Sequence, residues 1–452
     1  MISDTITKNN KIIRDFIAQY ELTKTPIEVS FRNLLPEIKN IDRHTHLIHS
    51  YPAKLLVHIP YLFLNNTVLS KVGDFVLDPF SGSGTVMLEA LLSKRNAFGA
   101  DSNPLARLIS EVKVSNLDIC ELRCISKNLI LRARKYKRYN TPDIINLEYW
   151  FPPNTVESLA KISTAINKIK NISIRKFMLV CFSNCVKKVS YADQRISVPV
   201  KLNANRYKDK SVQNKKILDR LKYLNTVDVF EKFQSILDEN ITRCENLQLE
   251  LIDKKYTAKI ISQDARNITC KLYGSKKMPE KTIQLIITSP PYAGAQKYIR
   301  ASSLNLGWTG LSSIENLMVL DKKNIGRENF RKSEINITKT GIPDADALIE
   351  KISTINISRA NIVCTYIHEM KEAINEMIRV VKKGGFIVLI VGNNKVCNME
   401  FNTQEYMTYY LQQKNLNLKF KLIDDIKSYG LMTKRNKTAD IISREWILVF
   451  KK

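Results

Sequence analysis

The 452-residue chain carries 71 Lys and Arg against 44 Asp and Glu, a formal charge of +27, and an apolar fraction of 44%. That apolar share is ordinary for a globular protein, and the length holds a full catalytic core with one further module. The basic excess predicts phosphate contacts and salt-dependent binding to nucleic acid, and the longest apolar run, Phe386 to Val391, is far too short for a membrane span.

The polar start, Met1 to Lys8, lacks a signal peptide. His44, His46 and His49 have no acid or cysteine at ligand spacing, so ordinary polar contacts are expected of them and no metal. None of the eight cysteines forms a Cys-x-x-Cys pair, and Cys181 and Cys185 lie at helical spacing in an apolar run; buried free thiols of a cytoplasmic protein are expected.

Phe75 to Leu77 reads as a buried strand, followed by the loop Asp78-Pro-Phe-Ser-Gly-Ser-Gly-Thr85 and a helix over Val86 to Ser93. Gly82 and Gly84 permit a sharp turn and close approach to a ligand. The loop matches neither the G-x-G-x-x-G dinucleotide pattern nor a triphosphate loop ending in Gly-Lys-Ser/Thr, and it has no lysine for phosphate. Asp78 closes the strand where it can face a cationic amine. Asp101 ends the next apolar segment, Ala97 to Ala100, where an acid suits ribose hydroxyls. A ligand with an amino-acid end, a nucleoside end and no phosphate fits S-adenosylmethionine better than NAD or ATP.

Residues 116–258 hold 27 Lys and Arg against 15 Asp and Glu, an excess of 12. Arg134 and Lys137 belong to one cluster and Lys215 and Lys216 to another, with Tyr136, Tyr139 and Tyr207 interleaved. A solvated basic face is the plain explanation; a DNA-recognition element between two halves of a core is the functional one. Within this insert Tyr149 to Pro153 reads as a loop, Thr155 to Ile169 and Phe177 to Val186 as helices, and Val189 to Pro199 as an irregular segment near the pocket.

Lys259 to Ser262 reads as a short strand before Asp264, and Ile283 to Ile287 as a buried strand before Thr288-Ser-Pro-Pro-Tyr292. An exocyclic base amine is a weak nucleophile because its lone pair is delocalised into the ring. The Ser289 hydroxyl and the Pro290 carbonyl can accept its N–H bonds, held by the fixed φ angles of Pro290 and Pro291, while Tyr292 offers a ring to stack on an extruded base. Lys297, Tyr298 and Arg300 follow closely and are expected near DNA. Residues 311–357 show little periodicity and suggest a mobile connection or lid. Ile362 to Lys383, the turn Gly384-Gly385 and Phe386 to Val391 read as helix, turn and strand.

The glycine loop and the Ser-Pro-Pro-Tyr block resemble motifs I and IV of the DNA amino-methyltransferases. His49-Ser-Tyr-Pro-Ala-Lys54 resembles motif X and Asp264-Ala-Arg266 motif III; Arg435-Asn436 and Trp446 to Phe450 resemble the closing hairpin. The resemblance implies an α/β fold: a Rossmann-like S-adenosylmethionine-dependent methyltransferase sheet with helices on both faces and a largely helical insert. It divides the chain into a cofactor half (1–115), the basic insert (116–258) and a catalytic half (259–452), in an order that looks permuted. It implies a cofactor site at Lys54, Asp78, Pro79, Phe80, Gly82, Gly84, Thr85, Asp101, Asn103 and Asp264, and a catalytic site at Ser289, Pro290, Pro291 and Tyr292. Ser at the head of motif IV is the form more usual in cytosine-N4 enzymes, so the expected activity is N4 methylation of a flipped cytosine in double-stranded DNA, with a cognate restriction endonuclease encoded nearby.

Adenine-N6 methylation, RNA guanine-N2 methylation and a non-catalytic DNA-binding role are the alternatives. The leading Ser, with no RNA-binding domain before the core, counts against the RNA reading, and two intact motifs count against the non-catalytic one. A cytosine-C5 enzyme is excluded because no Pro-Cys dipeptide occurs.

Overall fold

The computed structural model describes residues 2–36, 38, 43–52, 54–207, 209, 211–251, 255–270, 276–294, 297–426 and 443–452. Arg435-Asn436 lies outside the described residues, as do Lys208 and Lys210, two further basic residues shortly before Lys215 and Lys216.

In chain order the strands are β1 (Ile27–Glu28), β2 (Phe75–Asp78), β3 (Asn96–Ala100), β4 (Ala258–Ser262), β5 (Thr269–Cys270), β6 (Lys276–Lys277), β7 (Ile283–Thr288), β8 (Val381–Val391), β9 (Asn394–Val396), β10 (Met399–Phe401), β11 (Asn417–Asp425) and β12 (Arg444–Lys451). Eight of them form one sheet in the order β1-β11-β12-β8-β7-β2-β3-β4. It is parallel from β8 to β4 and antiparallel where β12 inserts between β8 and β11. Successive residues alternate between two apolar cores because strand side chains point to opposite faces. Val76, Leu285, Ile287 and Val388 pack with the helices Ile2–Thr23 and His58–Leu64, whereas Leu77, Ile286, Ile387 and Leu389 pack with the helices Pro343–Ile355 and Ile357–Val380.

The chain runs outward through β2, β3 and β4, then returns to lay β7 on the other side of β2, with Val76 opposite Leu285 and Leu77 opposite Ile286. This is a topological switch point, and the crevice at the carboxyl ends of β2 and β7 is where such sheets bind ligands. Both sequence motifs end there.

The insert is helical: Ile119–Arg134, Pro153–Asn167, Ile172–Lys188, Val212–Thr226 and Val229–Glu250 are its long helices. Its apolar residues share one core with Ile48, Tyr51, the helix Pro104–Lys113 and the helix Tyr298–Trp308. The insert is thus welded to elements that border the crevice.

Two expectations need correction. Residues 311–357 are not structureless: Ile314–Lys323 and Pro343–Ile355 are helices. In the second, Ala345, Ile349 and Ile352 form an apolar stripe buried on its neighbour, and Asp346 accepts hydrogen bonds from the Thr340 amide and hydroxyl at 2.6 and 2.7 Å. Gly384-Gly385 is not a turn between helix and strand, since the helix ends at Val380 and β8 already begins at Val381. The glycines form a bulge instead, with Ile283 opposite Val381 but Leu285 opposite Phe386; a Cβ on Gly385 would meet Gln284 O at 2.8 Å.

Candidate active site

The glycine loop is built by three backbone devices. Gly82 and Gly84 have φ of +49° and +76°, a left-handed conformation that favours glycine. Ser81 N donates to Ala100 O at 2.8 Å, Gly84 N to Ser81 O at 2.7 Å, and the Ser110 hydroxyl to Gly82 O at 2.8 Å. A Cβ on Gly84 would lie 2.9 Å from Ser110 Oγ, whereas one on Gly82 would meet nothing nearer than Tyr51 at 3.9 Å. Gly84 is therefore needed for packing, and Gly82 keeps a face open to the crevice.

That crevice is lined by Pro79, Phe80, Gly82, Asp101 and Asn103 from before the insert and by Asp264, Ser289, Pro291 and Tyr298 from after it. Both Asp101 oxygens accept backbone amides, Oδ2 from Gly82 at 2.9 Å and Oδ1 from Asn103 at 2.8 Å, and each has a lone pair left for a ligand hydroxyl. Burial holds its carboxyl above the usual range. Asn103 caps the helix Pro104–Lys113, accepting from Leu105 N at 3.0 Å, and donates to Tyr51 Oη at 3.1 Å and Ser302 Oγ at 3.2 Å. Asp264 is forked by Arg266, with Nε to Oδ1 and Nη2 to Oδ2 both at 2.9 Å, and Arg266 Nη1 reaches Glu369 at 2.9 Å. Burial pushes Glu369 up to about 7.

Other predicted residues sit beside the crevice without lining it. Asp78 is buried beneath it, accepting from the Thr288 hydroxyl at 2.6 Å and Phe80 N at 3.1 Å, and burial raises it to about 7. Thr85 is buried at the start of its helix. Lys54 donates to the His46 carbonyl at 3.2 Å. Pro290 is buried, and the Tyr292 ring is 8% exposed with its hydroxyl on Glu445 of β12 at 3.1 Å. The ring expected to meet a base is thus packed into the sheet end.

The predicted DNA contacts divide. Lys137, Lys215, Lys216 and Arg300 are exposed. Arg134 instead pairs with Asp228 at 2.8 Å and lies 4.7 Å over the Phe230 ring, pinning two insert helices together. Lys297 pairs with Glu328 at 3.1 Å.

Several lining residues carry no clear signal in the sequence. Tyr51 lies inside the motif X block without a predicted role, and Lys323, Asn324 and Ile325 come from the stretch expected to be a mobile connection. Lys323 ends a ten-residue helix whose apolar positions Leu317 and Leu320, spaced by three, are its only signal.

The sequence profile of the DNA methylase family, the N6/N4 methyltransferases, matches residues 11–111 and 283–452, more than half of the chain and both faces of the crevice. The chain belongs to this family. It is a DNA amino-methyltransferase of the S-adenosylmethionine-dependent class. Among curated relatives it is similar to the Type II methyltransferase M.MvaI of Kocuria varians, 24% identical over 89% of this chain and 88% of that protein. It is also similar to M.BsoBI of Geobacillus stearothermophilus, 26% identical over 54% of this chain and 48% of that one. M.MjaII of Methanocaldococcus jannaschii matches at 33% over 24% of this chain and 19% of its own. Among solved structures, a DNA modification methylase of Thermus thermophilus matches at 17% identity over 42% of this chain in two structures, one of them complexed with S-adenosyl-L-methionine. They cover 51% and 53% of that protein, with TM-scores of 0.21 and 0.20, too low to support an argument.

The remaining signals are structural. His46 Nε2 meets the buried Glu89 at 2.8 Å, and His49 Nε2 meets Ser183 Oγ at 3.1 Å. Burial lowers these imidazoles to about 4 and about 3. Among the described residues no cluster of three ligating side chains could hold a metal, and no helix is long and apolar enough to cross a membrane. The eight cysteines are free, and burial raises Cys185 to about 12.

Proposed function

We propose that this methyltransferase moves the methyl group of S-adenosylmethionine to the N4 amine of a cytosine flipped out of duplex DNA. The supporting observation is that Ser289 and Pro291 line the same crevice as Phe80, Gly82, Asp101 and Asp264. The donor set fits the cofactor. Asp101 offers free lone pairs for ribose hydroxyls, Asp264 an acceptor near the nucleoside end, and Gly82 an open wall. The bound cofactor supplies an electrophilic methyl on a sulfonium.

Ser289 and the Pro290 carbonyl then accept the two amine N–H bonds and draw the nitrogen lone pair out of conjugation. With the cofactor bound, the polarised nitrogen would take the methyl as the C–S bond breaks, the electron pair leaving on sulfur as a thioether and the extra proton of the nitrogen passing to water; no enzyme side chain would be alkylated. A base inside a duplex cannot reach this crevice, so the target is extruded. Lys137, Lys215, Lys216, Lys297, Tyr298 and Arg300 are assigned to DNA, with the insert as the recognition element. The similar proteins are named Type II methyltransferases, which supports protection against a cognate endonuclease as the biological role.

Ser at the head of the catalytic motif favours cytosine over adenine. Mass spectrometry of nucleosides from methylated DNA tests the assignment and should show N4-methylcytosine. N6-methyladenine alone overturns the base assignment and leaves the cofactor site standing; methylated RNA with untouched DNA overturns the DNA reading.

A further inference from the structure

After the helix Ile172–Lys188 the insert folds into a hairpin closed by a bridge between Ala192 and Lys201, with Asp193 N on Val200 O and Leu202 N on Tyr191 O, both 2.8 Å. Its root is fixed. Tyr191 N donates to Trp150 O at 2.8 Å, the Tyr191 hydroxyl to Asn225 Oδ1 at 3.0 Å, and Lys201 Nζ lies 4.2 Å from the Tyr149 ring centre and 5.1 Å from that of Tyr191.

At the tip, Arg195 is held by its neighbour but one. Asp193, 7% exposed, takes Arg195 Nε on Oδ1 at 2.9 Å and Nη2 on Oδ2 at 2.6 Å, with the Arg195 amide also on Oδ1 at 3.0 Å. The Arg195 side chain is nevertheless 55% exposed. A guanidinium has five N–H bonds in a rigid fork, and Asp193 occupies one long edge, leaving the terminal edge of Nη1 and Nη2. Tyr207, itself 37% exposed, is a second side-chain hydrogen-bond partner of this guanidinium, one that an acceptor on a ligand can replace. A turn needs no such fork, because the backbone bond to Oδ1 already closes it. What the fork does supply is a fixed direction for the free edge.

The helix that leads into the hairpin packs on elements that reach the crevice. Ser183 Oγ accepts from Asn305 at 2.6 Å, on the helix that starts at crevice-lining Tyr298, and Ser50 Oγ donates to Asn184 at 3.0 Å, next to crevice-lining Tyr51. Lys188, where the hairpin begins, is about 7.5 Å further along the same helix. Lys187, whose Nζ reaches Ile196 O at 3.5 Å, Lys201 and Arg206 surround it, a charge suited to a polyanion.

We propose that Arg195 is a specificity-determining residue that reads a guanine in the major groove, its free edge donating to N7 and O6, with Asp193 positioning it. The inference rests on the DNA methyltransferase reading above. It differs from a phosphate contact in what it predicts, because phosphate contacts carry no sequence information.

The test uses the full chain and its Arg195→Ala, Arg195→Lys and Asp193→Asn variants. Sequencing of methylated host DNA first gives the wild-type target. Duplexes then replace each G·C pair of that target by A·T, or its guanine by 7-deazaguanine, and Kd is measured for each. Wild type should discriminate at one guanine by about 5- to 150-fold, and Arg195→Ala and Arg195→Lys should reduce that ratio to near one, with Asp193→Asn between. Affinity for S-adenosylmethionine should not change, which reports intact folding; if Arg195→Ala fails that control, Arg195→Lys, which keeps the charge beside Asp193, decides the outcome. Full discrimination retained in a folded variant overturns the proposal. So does equal weakening on every duplex with the salt slope reduced by about one, the mark of a phosphate contact, and so does a target without guanine. Wild-type protein that methylates no DNA overturns the underlying reading instead, and is detected before any variant is compared.

Discussion

The Thr288 hydroxyl donates to Asp78 Oδ1 at 2.6 Å, joining the carboxyl ends of β2 and β7 across 210 residues of sequence. The glycine loop and the Ser-Pro-Pro-Tyr block are thereby held in one frame. The acceptor is fully buried, and burial raises it to about 7 from an ordinary 3.8. Between those values the folded chain holds a proton that the unfolded chain has released, so stability falls as pH rises through the window. Asp78→Asn keeps an oxygen for Thr288 and removes the titration. Relative to wild type, cofactor-free Asp78→Asn should gain up to about 4 kcal/mol between pH 4 and pH 8. Denaturant melts at the two pH values measure it, and a pH-independent difference contradicts it.

Gly82 and Gly84 should respond differently to alanine. Gly84→Ala drives a Cβ against Ser110, 2.9 Å from its Oγ, and strains a φ of +76°; it should cost about 1–3 kcal/mol of stability. Gly82→Ala has room, so it should cost no more than about 1–2 kcal/mol but weaken the cofactor through its place in the crevice wall. Thermal melts with calorimetric titration of S-adenosylmethionine separate the two.

Ser289→Ala should lower kcat on the order of 10²-fold with little change in DNA affinity, the pattern of an interaction used in the transition state. Single-turnover kinetics on a target duplex would show it, and an unchanged rate removes Ser289 from the chemistry.

Tyr292→Phe should act on stability. Its hydroxyl supports Glu445, whose carboxyl burial already holds above the usual range. Loss of the donor should cost about 1–3 kcal/mol, more at pH 8 than at pH 5, because the ionised carboxylate is the form the phenol stabilises. Equal loss at both pH values would show that Glu445 stays protonated.

Charge reversal of the exposed Lys137, Lys215 and Lys216 should flatten the dependence of log Kd for DNA on log salt by about 2–3. Reversal of Arg134 should instead loosen the insert, since Asp228 and Phe230 already hold that side chain. Equilibrium binding at several salt concentrations compares the two, and an unaltered slope in the triple variant would place DNA elsewhere.

Local pattern alone determined that β2 and β7 are buried strands and that the glycine loop and Ser-Pro-Pro-Tyr follow them, because strand hydrophobicity and turn chemistry are encoded within a few residues. It also marked Asp101 as a site acid, whereas Asp264 was marked only by its resemblance to motif III; both line the crevice. Only the fold decided that β7 lies beside β2, since that pairing spans the whole insert and depends on which face each strand buries. The tertiary structure also assigned Arg134 to a surface ion pair with Asp228 and turned the Tyr292 hydroxyl towards Glu445. It ordered the 311–357 stretch, whose short apolar stripes gain a partner only on packing. A charged or aromatic side chain carries no mark in sequence of whether its partner is solvent, ligand or a residue a hundred positions away; burial and geometry make that choice.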